Sequence, residues 1–300
     1  MAKETRKQTP VLAVVNMKGG VGKTTISAHL FREFYRKKAK NVLLIDFDPQ
    51  FNLTQALFDQ SDYEVLKSQG STILSVMESA PELSIFNTCD SDGKPADVSV
   101  IRQRLKKAAK SNGEGVKPTY VYLDIIPGDF DLSKYSLIDD KNILGLAGRR
   151  FKAFIDKAKE EYDLICIDCN PSTSFLNMCA LRSATHLLVP VKPDRYSMLG
   201  LRLLDNFVNG LVEITVKPKK IIILNGIPRS KYDPTVENEL RSDPVYGPMT
   251  MVTKLNTSDL LVANPNYTGF ATDKNVAYTK ALRDKFHLLS DELTVALGLK

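Results

Sequence analysis

The chain has 300 residues, of which 43% are hydrophobic and 25% charged, and its formal net charge is +6. This composition is typical of a globular protein with one large core, and it excludes collagen-like and disordered chains. The apolar runs fall well short of the ~18 residues that a membrane span requires. The first nine residues are polar and lack the apolar segment of a secretory signal. We therefore expect a cytoplasmic protein.

The four cysteines are Cys89, Cys166, Cys169 and Cys179. Cys166 and Cys169 form a C-x-x-C pair, a spacing found in zinc and redox sites. However, no second pair of Cys or His follows at zinc spacing, and the surrounding residues have the composition of a strand. We interpret these thiols as reduced core residues and expect no metal at this pair.

Short β-branched runs alternate along the chain with helical patterns. The predicted strands cover residues 11–15, 42–46, 121–126, 164–168, 186–191 and 220–225. One predicted helix begins near residue 23, and three others cover residues 151–159, 199–212 and 275–297. Such alternation predicts an α/β fold with a mostly parallel, twisted sheet and helices on both faces. In such sheets, ligands bind at the carboxyl ends of the strands.

Residues 86–117 are the least regular part of the sequence, with turn-forming residues near both ends. Between them, the basic stretch at residues 101–110 favours a helix. We interpret residues 1–300 as a single domain with an insertion at about 86–117. Because the first predicted strand begins at residue 11, we expect no N-terminal helix-turn-helix domain.

The first predicted strand runs into the sequence NMKGGVGKTT at residues 16–25. Gly19, Gly20 and Gly22 let the backbone curl so that its N–H groups point at phosphate oxygens. The helix that follows adds the positive end of its dipole. In this motif Lys23 reaches the β- and γ-phosphates, and the Thr24 hydroxyl holds Mg²⁺.

Three aspartates stand at the ends of predicted strands. Asp46 and Asp48 end the second strand, where they share one face near the phosphate loop. A carboxylate there can organise Mg²⁺ or orient an attacking water. Asp168 ends an apolar strand, as the Walker B carboxylate does, and would meet the Mg²⁺ shell opposite Thr24.

The loop departs from the general phosphate-loop pattern, because Met17 replaces a glycine and Lys18 precedes Gly19. The sequence KGGVGKTT resembles the deviant Walker A loop of the ParA/MinD/nitrogenase-iron-protein superfamily. The resemblance implies a P-loop ATPase that binds ATP and Mg²⁺ and forms a homodimer with ATP at the interface. It assigns the nucleotide to residues 18–25, namely Lys18, Gly19, Gly20, Val21, Gly22, Lys23, Thr24 and Thr25. It also implies that Lys18 reaches across the dimer to the partner's nucleotide.

The resemblance extends to the predicted strand ends. The sequence DFDPQ resembles the family's switch I motif, which implies that Asp48 positions the attacking water and Asp46 supports the metal shell. Phe51 stands where the family often has Gly or Ala, and Asn170 stands where it usually has Pro. Asn225, at a predicted strand end, is implied to hydrogen-bond the adenine base and Pro228 to flank it, although Asn is also an ordinary turn residue.

Three further segments, residues 125–132, 193–201 and 263–269, resemble ParA proteins more than the other members of the superfamily. A ParA-type protein would bind non-specific double-stranded DNA when ATP is bound, associate with the nucleoid and hydrolyse ATP slowly until a ParB-type partner stimulates it. It would thereby segregate a plasmid or chromosome. Because late helices and a loop form the DNA face in relatives, Arg229, Lys280 and Arg283 are the expected contacts. Each basic cluster taken singly is equally well explained as a solvated surface.

Other functions remain open. A MinD-like ATPase for a membrane-associated or protein cargo would need a terminal basic amphipathic helix. The chain ends in SDELTVALGLK, which argues against a membrane anchor. An electron donor like the nitrogenase iron protein would need cysteines placed for a shared cluster, and we find no match to that pattern. A scaffold that binds ATP without turnover is disfavoured by Asp48.

Overall fold

The computed structural model describes residues 9–78, 94–110, 118–262 and 267–299. The described residues form one seven-stranded sheet with the strand order β3-β4-β2-β5-β1-β6-β7. All neighbouring pairs are parallel except β3 and β4, which are antiparallel. The strands are β1 Val11–Val14, β2 Val42–Asp46, β3 Gln103–Lys110, β4 Thr119–Ile126, β5 Leu164–Asp168, β6 His186–Val191 and β7 Lys219–Leu224.

Ten α-helices connect or flank these strands within the described residues. Short 3₁₀ helices occur at Phe130–Ser136, Gly247–Met249, Asp259–Leu261 and Ala271–Asp273. The α-helices are α1 Lys23–Lys38, α2 Asn52–Leu57, α3 Gln60–Ser68, α4 Leu74–Met77, α5 Val98–Ile101, α6 Lys141–Glu161, α7 Phe175–Ser183, α8 Ser197–Gly210, α9 Thr235–Ser242 and α10 Thr279–Ala296. None of the helices in this part of the chain is long and apolar enough to cross a membrane.

The sheet separates two hydrophobic cores, because successive side chains of a strand point to opposite faces. On β1, Val11 and Ala13 belong to the core beneath α4, α6, α7 and α8. Leu12 and Val14 belong to the core beneath α1 and α10. The predicted α/β architecture, with a mostly parallel sheet and helices on both faces, is therefore confirmed.

The prediction of a helix at residues 101–110 is wrong. Residue 101 ends the short helix α5, and Gln103–Lys110 form β3, which pairs antiparallel with β4 at one edge of the sheet. Arg, Lys, Leu and Ala all favour a helix when considered locally. The pairing with β4 and the packing of Leu105 against the core outweigh that preference. The rest of the predicted insertion, residues 86–93 and 111–117, lies outside the described residues.

Three of the four cysteines are buried thiols, and their interpretation as core residues is confirmed. Cys166 faces the core beneath α1 and α10, whereas Cys169 and Cys179 face the opposite core. Their side chains therefore cannot converge on one metal ion. Burial raises the pKa of both Cys166 and Cys169, so these thiols stay protonated and unreactive. Cys89 lies outside the described residues.

Candidate functional site

The phosphate loop lies between the carboxyl end of β1 and the first residue of α1, Lys23. Gly20 and Gly22 have left-handed backbones, with φ of 71° and 90°, and Gly22 is the N-cap of α1. A side chain at Gly22 would also collide with the amide nitrogen of Asn225. Both constraints are met only by glycine, so the N–H groups at the start of α1 remain free to face a phosphate.

Lys23 is largely buried within this loop. Its ammonium lies 3.5 Å from the carbonyl oxygen of Asn16 and 3.4 Å from that of Lys18. Burial lowers the pKa of Lys23, and the nearby carboxylates of Asp168 and Asp48 partly oppose that shift. The side chain is thus held across the mouth of the loop, where phosphate oxygens could replace weak carbonyl contacts.

Lys18 points in a different direction from Lys23. Its ammonium forms an ion pair with Asp194, which precedes α8, and the Lys18 side chain is 42% exposed. Its backbone N–H donates to Asn16 Oδ1 at 2.9 Å, and Asn16 in turn donates to the carbonyl of Pro190 at 2.8 Å. The loop backbone is therefore fixed, while the Lys18 side chain lies at the surface. The contact between Lys18 and Asp194 lowers the pKa of that carboxyl group.

Asp46 and Asp168 lie opposite each other in the register of β2 and β5, and both are buried. Asp46 Oδ2 accepts from the backbone N–H and the hydroxyl of Thr54 at 2.8 and 2.7 Å. Asp168 Oδ1 accepts from the Ser27 hydroxyl at 2.7 Å. Burial raises the pKa of Asp46 to about 8, with the neighbouring Asp168 adding to the shift. Burial also raises the pKa of Asp168 to about 6, and the hydroxyls of Ser27 and Thr24 partly oppose this shift.

Two oxygen atoms of this pair lack a donor. Asp46 Oδ1 and Asp168 Oδ2 are buried and accept no hydrogen bond from the described residues. A divalent cation would neutralise such atoms, and Mg²⁺ typically uses one or two carboxylates together with phosphates and water. The described part of the chain contains no group of three or more His, Cys, Asp or Glu side chains able to hold a metal. The residues therefore fit a Mg²⁺ ion that is bound jointly with a nucleotide.

Asp48 lies in a tight turn directly after β2. Its Oδ1 accepts from the Gln50 N–H at 2.9 Å, and its carbonyl accepts from the Phe51 N–H at 2.8 Å. Burial raises the pKa of Asp48, and the Lys23 ammonium partly opposes the shift. Phe51 has a left-handed backbone with φ of 39°, and its ring stacks on Tyr63 of α3 with 4.9 Å between the ring centroids. Phe51, where the sequence departs from the family pattern, therefore anchors the turn that carries Asp48.

The departure at Asn170, directly after β5, is also explained. The Asn170 side-chain oxygen accepts from the hydroxyls of Ser172 and Ser174 at 2.9 and 3.4 Å. Its backbone carbonyl accepts from the side-chain amide of Asn177 at 2.8 Å. A proline at position 170 could not make the side-chain contacts, so this loop is held by a polar network that connects β5 to α7.

Of the two residues predicted at a base, Asn225 contacts the phosphate loop. The Asn225 amide donates to the carbonyl of Val21 at 2.8 Å, and Asn225 follows β7. Pro228 is exposed and lines a cavity of about 560 Å³ together with Arg229, Ser258 and Tyr278. Asn225 is thus positioned by the loop, and its role toward a base stays a prediction.

The three predicted DNA contacts lie in the region of this cavity or on α10. Arg229 is exposed, and its Nε donates to the carbonyl of Thr257 at 3.1 Å. Lys280 is exposed on the first turn of α10, and Arg283 is half-buried one turn later. Residues three apart on a helix are neighbours on its surface, so Lys280 and Arg283 share one face of α10. Their contact with DNA stays a prediction.

Sequence reasoning missed four residues that shape the site: Asp194, Ser27, Thr54 and Asn16. Ser27 lies one helical turn after Lys23 and could have been found from that spacing. Thr54 lies four residues after the switch I motif, on α2. Asp194 is 176 residues from Lys18 in the chain. The only signal for Asp194 was a carboxylate in a segment predicted to lie near the dimer face.

A family model described as an AAA domain, AAA_31, matches residues 9–221, more than two thirds of the chain. The chain therefore belongs to the AAA_31 family. Among curated proteins, a putative replication protein A of Rhizobium rhizogenes is 28% identical over 202 residues, covering 65% of this chain and 43% of that protein. The sporulation initiation inhibitor protein Soj of Bacillus subtilis is 28% identical over 200 residues, 66% of this chain and 64% of Soj. The chain thus resembles ParA-type proteins, and it spans less than two thirds of the length of these relatives.

Solved structures share the fold. A putative plasmid partition protein of Borrelia burgdorferi bound to AMPPNP has a TM-score of 0.66 at 18% identity, covering 95% of this chain and 100% of that chain. The pNOB8 ParA bound to nonspecific DNA has a TM-score of 0.60 at 22% identity, with 96% and 98% coverage. Cobyrinic acid a,c-diamide synthase of Mycobacterium smegmatis, with a bound ATP analogue and magnesium, has a TM-score of 0.58 at 21% identity, with 79% and 84% coverage.

Proposed function

We propose that this chain is an ATP-dependent dimerising switch that segregates plasmid or chromosomal DNA. In the ATP state it binds duplex DNA without sequence preference and associates with the nucleoid, and a ParB-type partner stimulates hydrolysis. The observation that carries the proposal is that two lysines of one loop have different environments. Lys23 is buried toward its own phosphate site, whereas Lys18 lies at the surface, where it can reach a second chain.

The reaction is hydrolysis of ATP to ADP and phosphate. Asp48 orients the attacking water, because its carboxylate is held by the turn at Gln50 and lies near Lys23. Lys23 and the N–H groups at the start of α1 bind the phosphates of their own nucleotide, and Lys18 of the partner chain adds charge in the transition state. Thr24 and Asp168 would hold Mg²⁺, with Asp46 behind them, and the ion supplies neutralisation of the phosphate charge.

The proposed dimer places the surface around Lys18 against a second copy. Beside the ion pair of Lys18 and Asp194, α8 and its N-cap expose Tyr196, Leu199 and Leu203, each about half exposed. Residues at i, i+3 and i+7 share one helix face, so these side chains form an apolar stripe beside the phosphate loop. Burying this stripe would bring Lys18 close to the partner's nucleotide, so that dimerisation and ATP binding are coupled.

The test measures ATP turnover and DNA binding together, with ATP or ADP, at several stated salt concentrations. We expect slow turnover, and DNA binding that requires ATP and weakens as salt rises. Lys18→Ala should abolish ATP-dependent dimers and DNA binding, whereas Lys152→Ala on the exposed face of α6 should leave both unchanged. ATP-dependent dimers without DNA affinity would overturn the DNA function and favour a protein or membrane-associated cargo, which lipid vesicles and cargo proteins would then test.

A further inference from the structure

Strand β3 forms the outer edge of the sheet at the side opposite β7. Six strand spacings separate these two strands, or about 29 Å. The loop after β7 leads to Arg229, so this expected DNA contact belongs to the β7 side of the molecule, whereas Lys280 and Arg283 lie on α10, which packs against α1. Along β3, the last four residues, Lys107 to Lys110, are exposed. This strand is therefore a separate surface, at the edge of the sheet opposite the one from which the loop to Arg229 leaves.

The surface carries an excess of positive charge. We call it the basic edge, which comprises Arg102, Arg104, Lys106, Lys107 and Lys110 with Tyr120 and Tyr122 of β4. The buried Asp124 faces two arginines, with distances of 3.8 Å to Arg102 and 2.9 Å to Arg104.

The remaining cations of the basic edge have fewer partners. Glu161 pairs with Arg102 at 2.6 Å, and Asp273 is shared by Lys106 and Arg32 at 2.8 and 2.9 Å. Lys107 and Lys110 have no carboxylate within ion-pair distance among the described residues. The five cations of the basic edge thus face three carboxylates, Asp124, Glu161 and Asp273, which leaves an excess charge of +2.

Two of the cations are oriented by aromatic rings. The Arg104 guanidinium lies 3.6 Å from the centroid of the Tyr122 ring, and the Lys107 ammonium lies 4.0 Å from that of Tyr120. Lysines on an edge strand also discourage pairing with another sheet, but that role needs charge alone. Here the stacking lays Arg104 and Lys107 across one face of the hairpin, whereas Lys110 extends from the other face at the end of the strand. The two stacked cations therefore lose less side-chain freedom when they meet an anion.

We propose that the basic edge is a second DNA-binding surface, whose occupant is the phosphate backbone of duplex DNA. The proposal rests on the proposed function, because it assumes a chain that binds DNA. Between the lysines lie only Ala108 and Ala109, and the exposed Tyr120 is covered by Lys107. A protein partner would need a buried anchor residue or pocket, whereas duplex DNA can be held by phosphate contacts alone. With cationic surfaces at both edges of its sheet, one chain holds two duplex segments.

The test uses the double variant Lys107→Gln with Lys110→Gln in the full chain with ATP. Each phosphate contact contributes about 0.9 to the slope of log affinity against log salt. We expect the variant to lower that slope by about 2 per chain and to weaken DNA binding by about tenfold at physiological salt. The matched control, Lys152→Gln with Lys157→Gln on α6, removes the same charge and should bind DNA as the parent protein does. Thermal unfolding of each variant checks that it is folded.

A second measurement tests whether two duplexes are held. Protein loaded with ATP on an immobilised duplex should capture a labelled second duplex, and the Lys107/Lys110 variant should lose this capture while retaining much of its binding to the first. If the parent protein binds DNA with ATP but the variant matches it in salt slope and capture, the basic edge is not a DNA surface and the proposed function stands. If the parent protein binds no DNA, both fail. Binding of an acidic polypeptide that requires Lys107 and Lys110, with DNA binding unchanged, would also overturn the proposal.

Discussion

Asp46 and Asp168 occupy paired positions at the carboxyl ends of β2 and β5, and each has one buried oxygen atom that accepts no hydrogen bond from the described residues. Two such carboxylates repel each other unless a cation or a proton lies between them. Burial and the neighbouring Asp168 accordingly raise the pKa of Asp46 to about 8. The repulsion between the two carboxylates lowers the stability of the free protein, and a bound metal–nucleotide complex would offset this loss.

The first prediction concerns Asp168→Asn. This change keeps the acceptor for Ser27 but removes one of the two facing charges. In metal-free buffer at a pH where both groups are charged, we expect the free energy of unfolding to rise by about 1 kcal/mol. Turnover of ATP with Mg²⁺ should fall by roughly 100-fold. Chemical denaturation with a chelator and a phosphate-release assay measure the two effects, and a loss of stability without metal would contradict the prediction.

The second prediction concerns the ion pair of Lys18 and Asp194. If Lys18 must leave Asp194 to reach a partner chain, Asp194→Asn should ease dimerisation. The pair is partly exposed, so its contribution is at most about 1 kcal/mol, and we expect ATP-dependent dimers to form about threefold more readily. Sedimentation of the variant with and without ATP measures this change. In the Lys18→Gln background the effect should vanish, and weaker dimers in the single variant would place Asp194 in the dimer contact itself.

The third prediction concerns the stacking of Phe51 on Tyr63. Phe51→Ala removes a contact of about 1 kcal/mol and loosens the turn that holds Asp48. We expect turnover at saturating ATP to fall by about tenfold, because a small displacement of the water-orienting group is costly. The affinity for ATP should change little, since the phosphate loop is untouched. Phe51→Tyr keeps the ring and serves as the control, and an equal loss of ATP affinity would argue for a general structural defect.

The fourth prediction concerns the buried His29 on α1, which lies between Phe270 and Phe286. Burial lowers its pKa from 6.5 to about 4. The unfolded chain therefore binds a proton between these values and the folded chain does not, so stability is lost as the pH falls through this window. The loss totals roughly 3 kcal/mol. His29→Leu should remove this slope, and the difference in unfolding free energy between variant and parent protein measures it. A pH-independent difference would contradict the prediction.

Local sequence patterns were enough to predict the phosphate loop, the three carboxylates at strand ends and the parallel sheet. These features depend on residue types at short spacings along the chain. They are glycines that permit a tight turn, a lysine and a threonine on one helical turn, and apolar runs that end in aspartate. The same spacing located Phe51 and Asn170 as departures, but not what each contacts. Phe51 contacts Tyr63, and Asn170 contacts the hydroxyls of Ser172 and Ser174.

The contacts between groups that are distant in the chain could not be predicted and are visible only in the folded protein. Asn225 contacts the loop at Val21 from 204 residues away, and Asp194 meets Lys18 from 176 residues away. No local pattern encodes such contacts, because they arise from the order in which the strands join the sheet. The same reason explains the error at β3. Its residues favour a helix in isolation, but the free energy of pairing with β4 and of packing Leu105 exceeds a preference worth only tenths of a kcal/mol per residue.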